Sequence, residues 1–229
     1  MQIRLDKLLA HSGYGSRKDV KSLIRKGYVK INDLIVKNDD LKVDTEIDEI
    51  TIDDENIKYD EFVYLLINKP KGYLSATFDS QYPTILDLIP IKYGNGLFPV
   101  GRLDIDTTGL QLITNDGSLA HQMLSPKHHV YKKYDVIYEG VLCSNVKELF
   151  KEGININDEY ITKPAKIELL EAGHCIVDIC EGKFHQVKRM IKHCGAEVKE
   201  LKRISFGKLI LPNDLEEGSF IEIKKEDIV

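Results

Sequence analysis

The chain has 229 residues, 42% of them hydrophobic and 30% charged, with a formal net charge of −5. That size suits one large or two small domains, and no apolar run approaches the roughly 18 residues of a membrane span. The opening stretch Met-Gln-Ile-Arg-Leu-Asp-Lys lacks a signal-peptide core, and Cys143, Cys175, Cys180 and Cys194 form no CxxC pair. A soluble, cytoplasmic protein with reduced thiols is expected.

The charge is unevenly spread. Residues 1–37 carry nine Lys/Arg against three Asp, residues 38–61 carry eleven Asp/Glu against two Lys, and residues 180–208 carry eight Lys/Arg against three Glu. A polyanion feels a local patch within a Debye length, about 8 Å at physiological salt, rather than the total. The negative sum therefore does not exclude nucleic acid.

Taken in order, residues 3–10 read as a short helix ended near Gly13. Ser16-Arg-Lys-Asp19 has capping-box spacing, with Ser16 as N-cap and an acid three residues later. The helix it opens runs to Gly27. Val20, Leu23 and Ile24 share one face, and Lys18, Lys21 and Arg25 share another, which is also how an ordinary solvated face looks. Residues 28–32 and 34–36 read as strands around an Asn-Asp turn. Residues 39–61 read as a self-repelling acidic linker, with strand alternation over 45–52.

Residues 62–67 form an apolar strand ended by the turn Asn68-Lys-Pro-Lys-Gly-Tyr73, and residues 84–89 form a short helix after Pro83. At 98–109 an apolar lead-in turns at Pro99 and Gly101. A loop then places Arg102, Asp104 and Asp106 within five residues, closed by Thr107, Thr108 and Gly109. Leu110, Leu112 and Ile113 make a buried strand, and residues 118–124 a helix before Pro126. A polar loop between two apolar elements can hold a reactive carboxylate. A solvated turn with two ordinary aspartates accounts for the same residues. His128 and His129 lack a third ligand at a recognisable spacing, so no metal is expected there.

Residues 131–140, containing Tyr134, alternate as a strand. A helix follows at 145–152, then strands at 166–170 and 174–180 paired across Ala172-Gly173. A helix opens at Glu181 and ends at Gly195. Its stripe is Phe184, Val187, Ile191 and Cys194, with Lys188 and Lys192 on another face. Zinc held by Cys180, His185, His193 and Cys194 is a weaker reading than buried cysteine. Strands follow at 197–205 and 209–211, and the acidic tail reads as peripheral. Many strands with few helices imply an α+β fold.

Two resemblances attach function to these elements. Arg4-Leu-Asp-Lys-Leu-Leu-Ala10, a glycine-containing turn, Ser16-Arg-Lys-Asp-Val-Lys-Ser-Leu-Ile-Arg-Lys-Gly27 and Val29-Lys-Ile-Asn32 together resemble the S4 RNA-binding domain. The likeness implies RNA contacts from Arg4, Lys7, Ser16, Arg17, Lys18, Lys21 and Lys30, mostly to phosphates. Gly101-Arg-Leu-Asp-Ile-Asp-Thr-Thr-Gly-Leu110 closely resembles the signature of the pseudouridine synthases, in the branch acting on small-subunit ribosomal RNA at uridine 516. Asn68–Tyr73, Tyr134 within Lys132-Lys-Tyr-Asp-Val136, and Thr162-Lys-Pro-Ala165 resemble the same family. The division implied is an S4-like α/β module with its linker over 1–58 and a catalytic domain over 59–229. The catalytic domain would be built on a mixed, mainly antiparallel sheet.

The resemblance implies Asp104 as the catalytic carboxylate and Lys188, where many relatives carry arginine, as the cation that keeps it ionised. It implies Tyr134 stacked on a flipped uracil, and Arg102 holding a phosphate or filling the vacated stack. Asp106, Thr107 and Thr108 would brace the loop. A carboxylate there can attack C1′, add to the base or remove the C2′ proton. No cofactor or metal is implied. The implied partner is ribosomal RNA, in a partly assembled small subunit, met by a monomer. Sister branches of the family act on 23S RNA instead. Two other readings remain. Asp104-Ile-Asp-Thr-Thr108 fits the D-x-D-x-T motif of Mg²⁺-dependent dehalogenase-type phosphatases, but no apolar strand leads directly into it and no βαβ alternation follows. A non-catalytic ribosome-assembly protein would use the S4-like module and have no need of Asp104, Tyr134 and Lys188 together.

Overall fold

The computed structural model describes residues 2–57, 59–93, 96–157 and 160–229. It divides into one unit of residues 1–63 with 89–97 and a second of residues 64–88 with 98–229. The expected boundary at residue 58 lies outside the described residues.

In the N-terminal unit, β1 (Gln2–Arg4) leads into α1 (Leu5–His11) and α2 (Arg17–Lys26). Then come β2 (Val29–Ile31), β3 (Leu34–Ile35), β4 (Lys42–Asp44), β5 (Ile50–Ile52) and β6 (Glu55–Asn56). The capping box forms as its spacing predicts: the Ser16 side chain accepts from Asp19 N at 3.3 Å, and Asp19 accepts from Ser16 N at 3.0 Å. Gly27 ends the helix in the left-handed region. Asn32 and Asp33, both at positive φ, make the tight β2–β3 turn. Leu5, Leu8, Leu9, Val20, Ile24, Val29 and Ile50 form its core.

Two expectations change here. Residues 2–4 are a strand, because Ile3 pairs with Val43 and buries its side chain. The acidic stretch is built into the unit rather than serving as a free linker. β5 pairs with β2, and the carboxylates are matched by the basic residues that precede them. Arg4 meets Asp6 at 3.0 Å and also Asp40, Arg25 meets Asp39 at 2.8 Å, and Lys30 meets Asp54. Lys21 lies 3.7 Å from Asp6 and 4.0 Å from Asp39. The self-repulsion assumed for a linker is thus compensated within the fold.

The second unit contains β7 (Tyr64–Lys69), β8 (Phe98–Val100), β9 (Thr108–Thr114), α3 (Gly117–Leu124), β10 (Lys132–Gly140) and α4 (Val146–Glu152). It continues with β11 (Asn155–Asn157), β12 (Tyr160–Ile161), β13 (Lys166–Glu171), β14 (His174–Ile179) and α5 (Gln186–His193). β15 (Ala196–Phe206), β16 (Leu209–Ile210), β17 (Phe220–Glu222) and α6 (Lys225–Ile228) complete it. The main sheet runs β13-β14-β10-β15-β9-β7-β17, with β8 paired to β9 and β16 to β15. Only the β15–β9 neighbours are parallel among the described strands. The sheet is therefore mixed and mainly antiparallel, in an α+β fold.

That parallel junction requires Gly109. It sits at φ 97°, and a Cβ there would lie 2.3 Å from Arg203 O and 2.8 Å from Arg203 N. The tail is not peripheral. β17 extends the sheet by pairing with β7, and Ile228 is buried in the core. Lys225 Nζ reaches Asp116 Oδ2 at 3.0 Å, beside the α3 cap that Asp116 makes with Leu119 N at 2.9 Å.

Candidate active site

The loop 101–107 runs between β8 and β9, and buried polar side chains fasten it from below. Gln111 on β9 donates to Val100 O at 2.9 Å and Gly101 O at 3.3 Å. The Ser75 hydroxyl accepts from Leu103 N at 3.0 Å and lies 3.2 Å from Leu103 O. Lys69 Nζ, at the end of β7, donates to Thr107 O at 2.8 Å and Pro70 O at 3.1 Å, with Ile105 O at 3.4 Å. Arg203 Nε donates to Leu110 O at 2.8 Å. Lys69 and Arg203 are fully or almost fully buried. Burial pushes Lys69 down to about 8, against the pull of Asp106 and Asp104. Burial likewise lowers Arg203. Each brace satisfies a loop carbonyl or amide that would cost about 1–3 kcal/mol if left unpaired.

Above these braces half-buried Asp104 lines a cleft that is open to solvent. Arg102, Asp104, Thr107, Tyr134, Lys183, His185 and Gln186 are among its lining residues. Lys188 Nζ on α5 stands 3.2 Å from Asp104 Oδ2 and 2.6 Å from Asp106 Oδ1. Burial pulls the Lys188 ammonium down, but its bonds to Asp106 and Asp104 outweigh that and leave it raised. Burial raises Asp106, and Lys188 reverses the sign to a net lowering. His185 Nε2 lies 3.6 Å from Asp104 Oδ1. Tyr134 on β10 is buried opposite Arg203 on β15. The result is a carboxylate beside a fixed cation, facing a cleft with an aromatic wall.

The description "RNA pseudouridylate synthase" matches residues 63–193, and the S4 domain matches residues 3–48. The chain belongs to the RNA pseudouridylate synthase family. It is 45% identical to an uncharacterized RNA pseudouridine synthase of Bacillus subtilis (strain 168), over 99% of this chain and 97% of the relative. It is 38% identical to the ribosomal small subunit pseudouridine synthase A of Haemophilus influenzae, over 99% and 98%. A solved structure, the crystal structure of a pseudouridylate synthase, is similar with a TM-score of 0.69 at 37% identity, covering 99% of this chain and 98% of that one.

Against this family background, the sequence-predicted residues divide into two groups. Arg102, Asp104 and Tyr134 line one cleft, and Lys188 joins them through its ion pair. The residues expected to meet RNA lie in the N-terminal unit of the synthase, in two states. Arg4, Lys21 and Lys30 are engaged by carboxylates, and the Ser16 hydroxyl is committed to its cap. Lys7, Arg17 and Lys18 have no salt bridge among the described residues.

Sequence reasoning assigned no role to Lys69, Ser75, Gln111 or Arg203, and weighed His185 only as a zinc ligand. The signal for Gln111 was a lone amide among the apolar residues of β9, whereas Arg203, among several charged residues of β15, had none. The D-x-D-x-T reading does not fit, because Asp104 precedes β9 and does not follow the end of a parallel strand. Among the described residues no three His, Cys, Asp or Glu side chains form a metal-binding group, and no helix is long and apolar enough to cross a membrane. The α5 helix starts at Gln186, later than expected, so Phe184 leaves its apolar stripe and stands in solvent. The Glu181 carboxylate is turned inward instead, accepting from Lys163 N at 2.9 Å and from Gln186 Nε2 at 2.9 Å.

Proposed function

We propose that this synthase isomerises uridine 516 of 16S ribosomal RNA, with Asp104 as the reacting carboxylate. The observation that carries the reading is the pairing of half-buried Asp104 with Lys188 at 3.2 Å, in the cleft that Tyr134 lines. Isomerisation breaks the C1′–N1 bond and forms C1′–C5. C5 loses a proton and N1 gains one, so no redox partner is required. The Lys188 ammonium stands beside the carboxylate in each route open to it. Tyr134, opposite Arg203 on the neighbouring strand, offers a ring face to the extruded base, and exposed Arg102 a charge to its phosphate.

The small-subunit target is supported by the likeness to the ribosomal small subunit pseudouridine synthase A of Haemophilus influenzae. It is also supported by the loop Asp104-Ile-Asp-Thr-Thr-Gly109 and by Lys183-Phe-His-Gln-Val-Lys188. Residues 1–58 act as the RNA-anchoring module and 59–229 as the catalytic domain of a cytoplasmic monomer. Phosphate contacts cannot choose one uridine among many, so the substrate is the folded RNA of a partly assembled subunit. Carbodiimide mapping of ribosomal RNA from a strain lacking this protein tests the assignment. The 16S pseudouridine should vanish. Loss of a 23S pseudouridine with the 16S site intact would move the protein to a sister specificity.

A further inference from the structure

A phenyl ring held in water needs a reason when the turn carrying it is this well fastened. Phe184 is 66% exposed. It follows Lys183, whose backbone N donates to Gln186 Oε1 at 2.9 Å, while Gln186 N donates to Lys183 O at 3.1 Å. Gln186 and Glu181 are buried and bonded to each other, and Glu181 also takes the Tyr160 hydroxyl. The turn is therefore rigid, and Phe184 is not exposed for want of structure. His185, which follows, sits at φ 52°, a conformation that an ordinary side chain adopts at a cost. That conformation sets the two rings against each other, with centroids 3.8 Å apart and planes 20° apart.

The stack has a direction. Its inner ring, His185, lines the cleft and faces Asp104 at 3.6 Å. Its outer ring, Phe184, faces solvent. The Arg189 guanidinium lies over the Phe184 ring, 5.2 Å from its centroid and within cation–π range. Lys183 and Arg102 add positive charge to the same cleft. An aromatic ring beside cations at a cleft that accepts a flipped nucleotide matches how proteins hold unpaired bases: the ring takes the base face and the cations take phosphate.

We infer that Phe184 is the stacking platform for an unpaired base adjacent to the target uridine, extending the His185–Phe184 stack by one ring. Arg189 swings from the ring to the phosphate of the stacked nucleotide. The inference rests on the RNA-modifying reading of the Asp104 cleft and goes past it by assigning a subsite for a neighbouring nucleotide. Leucine at 184 keeps apolar bulk but loses the flat π-face, whereas tyrosine keeps the face.

The test uses the full chain on the ribosomal RNA that the wild type converts, with 2-aminopurine placed in turn at each nucleotide flanking the target. Base–aromatic stacking of about 1–3 kcal/mol corresponds to a roughly 5- to 150-fold rise in KM for Phe184→Leu. Its kcat should stay within about threefold, since a contact equal in ground and transition states is lost. Phe184→Tyr should match wild type. One flanking 2-aminopurine should be brighter in the Phe184→Leu complex than in wild type. Unchanged KM and fluorescence in Phe184→Leu would overturn the assignment. A fall in kcat at unchanged KM would also overturn it, and would make Phe184 a positioning residue for His185. Absence of any conversion by wild type would instead sink the functional reading beneath it.

Discussion

Both units of the chain pair cations with aspartates, and the pairs differ in what surrounds them. In the N-terminal unit the Arg4–Asp40 and Lys30–Asp54 pairs lie on an open face. Exposed pairs of that kind contribute little individually and are screened by salt. They can exchange one partner for another, such as a phosphate. In the catalytic unit Lys188 is 22% exposed and Asp104 27%, above a layer of buried polar braces. There a charge has little water to replace a lost partner. Similar residue types therefore make an adaptable surface in one unit and a fixed electrostatic setting in the other.

Removing the cleft cation should break that contrast most severely. Lys188→Met leaves Asp104 and Asp106 without their shared ammonium. We expect kcat/KM to fall by roughly 10²-fold, the scale of losing one preorganised charge partner in an active site. Asp106 also loses the group that holds its carboxyl below the usual range. The Asp106 carboxylate then protonates at higher pH, so the acidic limb of the pH–rate profile should move upward. Lys188→Arg keeps the charge and should be milder. An acidic limb identical in all three proteins would exclude the ion pair from the mechanism.

The cleft's rigidity can be attacked without touching a charge. Gly109→Ala places a methyl against the Arg203 backbone at a left-handed φ, where strain alone costs about 1–3 kcal/mol. Thermal unfolding should shift down accordingly, and activity should fall in the protein that still folds. A wild-type melting curve would mean that β9 and β15 approach less closely than described.

A smaller effect should come from the tail. Burial raises Asp116, but its bonds to Leu119, Lys225 and Tyr64 leave it net lowered. A lowered carboxyl contributes stability above its unfolded pKa of about 3.9, and that contribution is lost as pH falls through the folded value. Lys225→Met should therefore destabilise at neutral pH by about 1 kcal/mol or less, since Lys225 is half exposed. The deficit should close in acid. A deficit that does not depend on pH would point to packing rather than charge.

The smallest expected change separates the two kinds of N-terminal cation. Lys18→Gln should lower the log–log salt slope of RNA binding by roughly 0.7–0.9, the value of one phosphate contact. Lys30→Gln should lower it less, because Asp54 competes for that ammonium. Equal slopes for the two variants would show that the carboxylates yield fully to RNA.

What could be read from sequence was what depends on neighbours in sequence. Ser16 and Asp19 cap a helix across three residues, and Asn32-Asp33 turn a hairpin across two. The loop holding Asp104 was conspicuous because its charged residues are contiguous. The braces were not, because Lys69 meets Thr107, Ser75 meets Leu103, and Arg203 meets Leu110, all across long separations. Nothing local marks a lysine at the end of an apolar strand as buried. The acidic stretch was misread for a related reason: its carboxylates were counted without the cations folded against them. The start of α5 was misplaced because nothing local shows that Glu181 bonds back to Lys163.

The central claim is that Asp104 performs the isomerisation and does not merely complete an ion pair. Asp104→Asn keeps the shape of the side chain but can neither attack nor accept a proton. Purified wild type and Asp104→Asn should be compared on the same ribosomal RNA substrate, measuring pseudouridine formed and RNA bound. We expect no measurable turnover, with RNA affinity within a few-fold of wild type because the change removes no cation that could meet phosphate. Turnover near the wild-type rate in the Asp104→Asn protein would remove Asp104 from the mechanism.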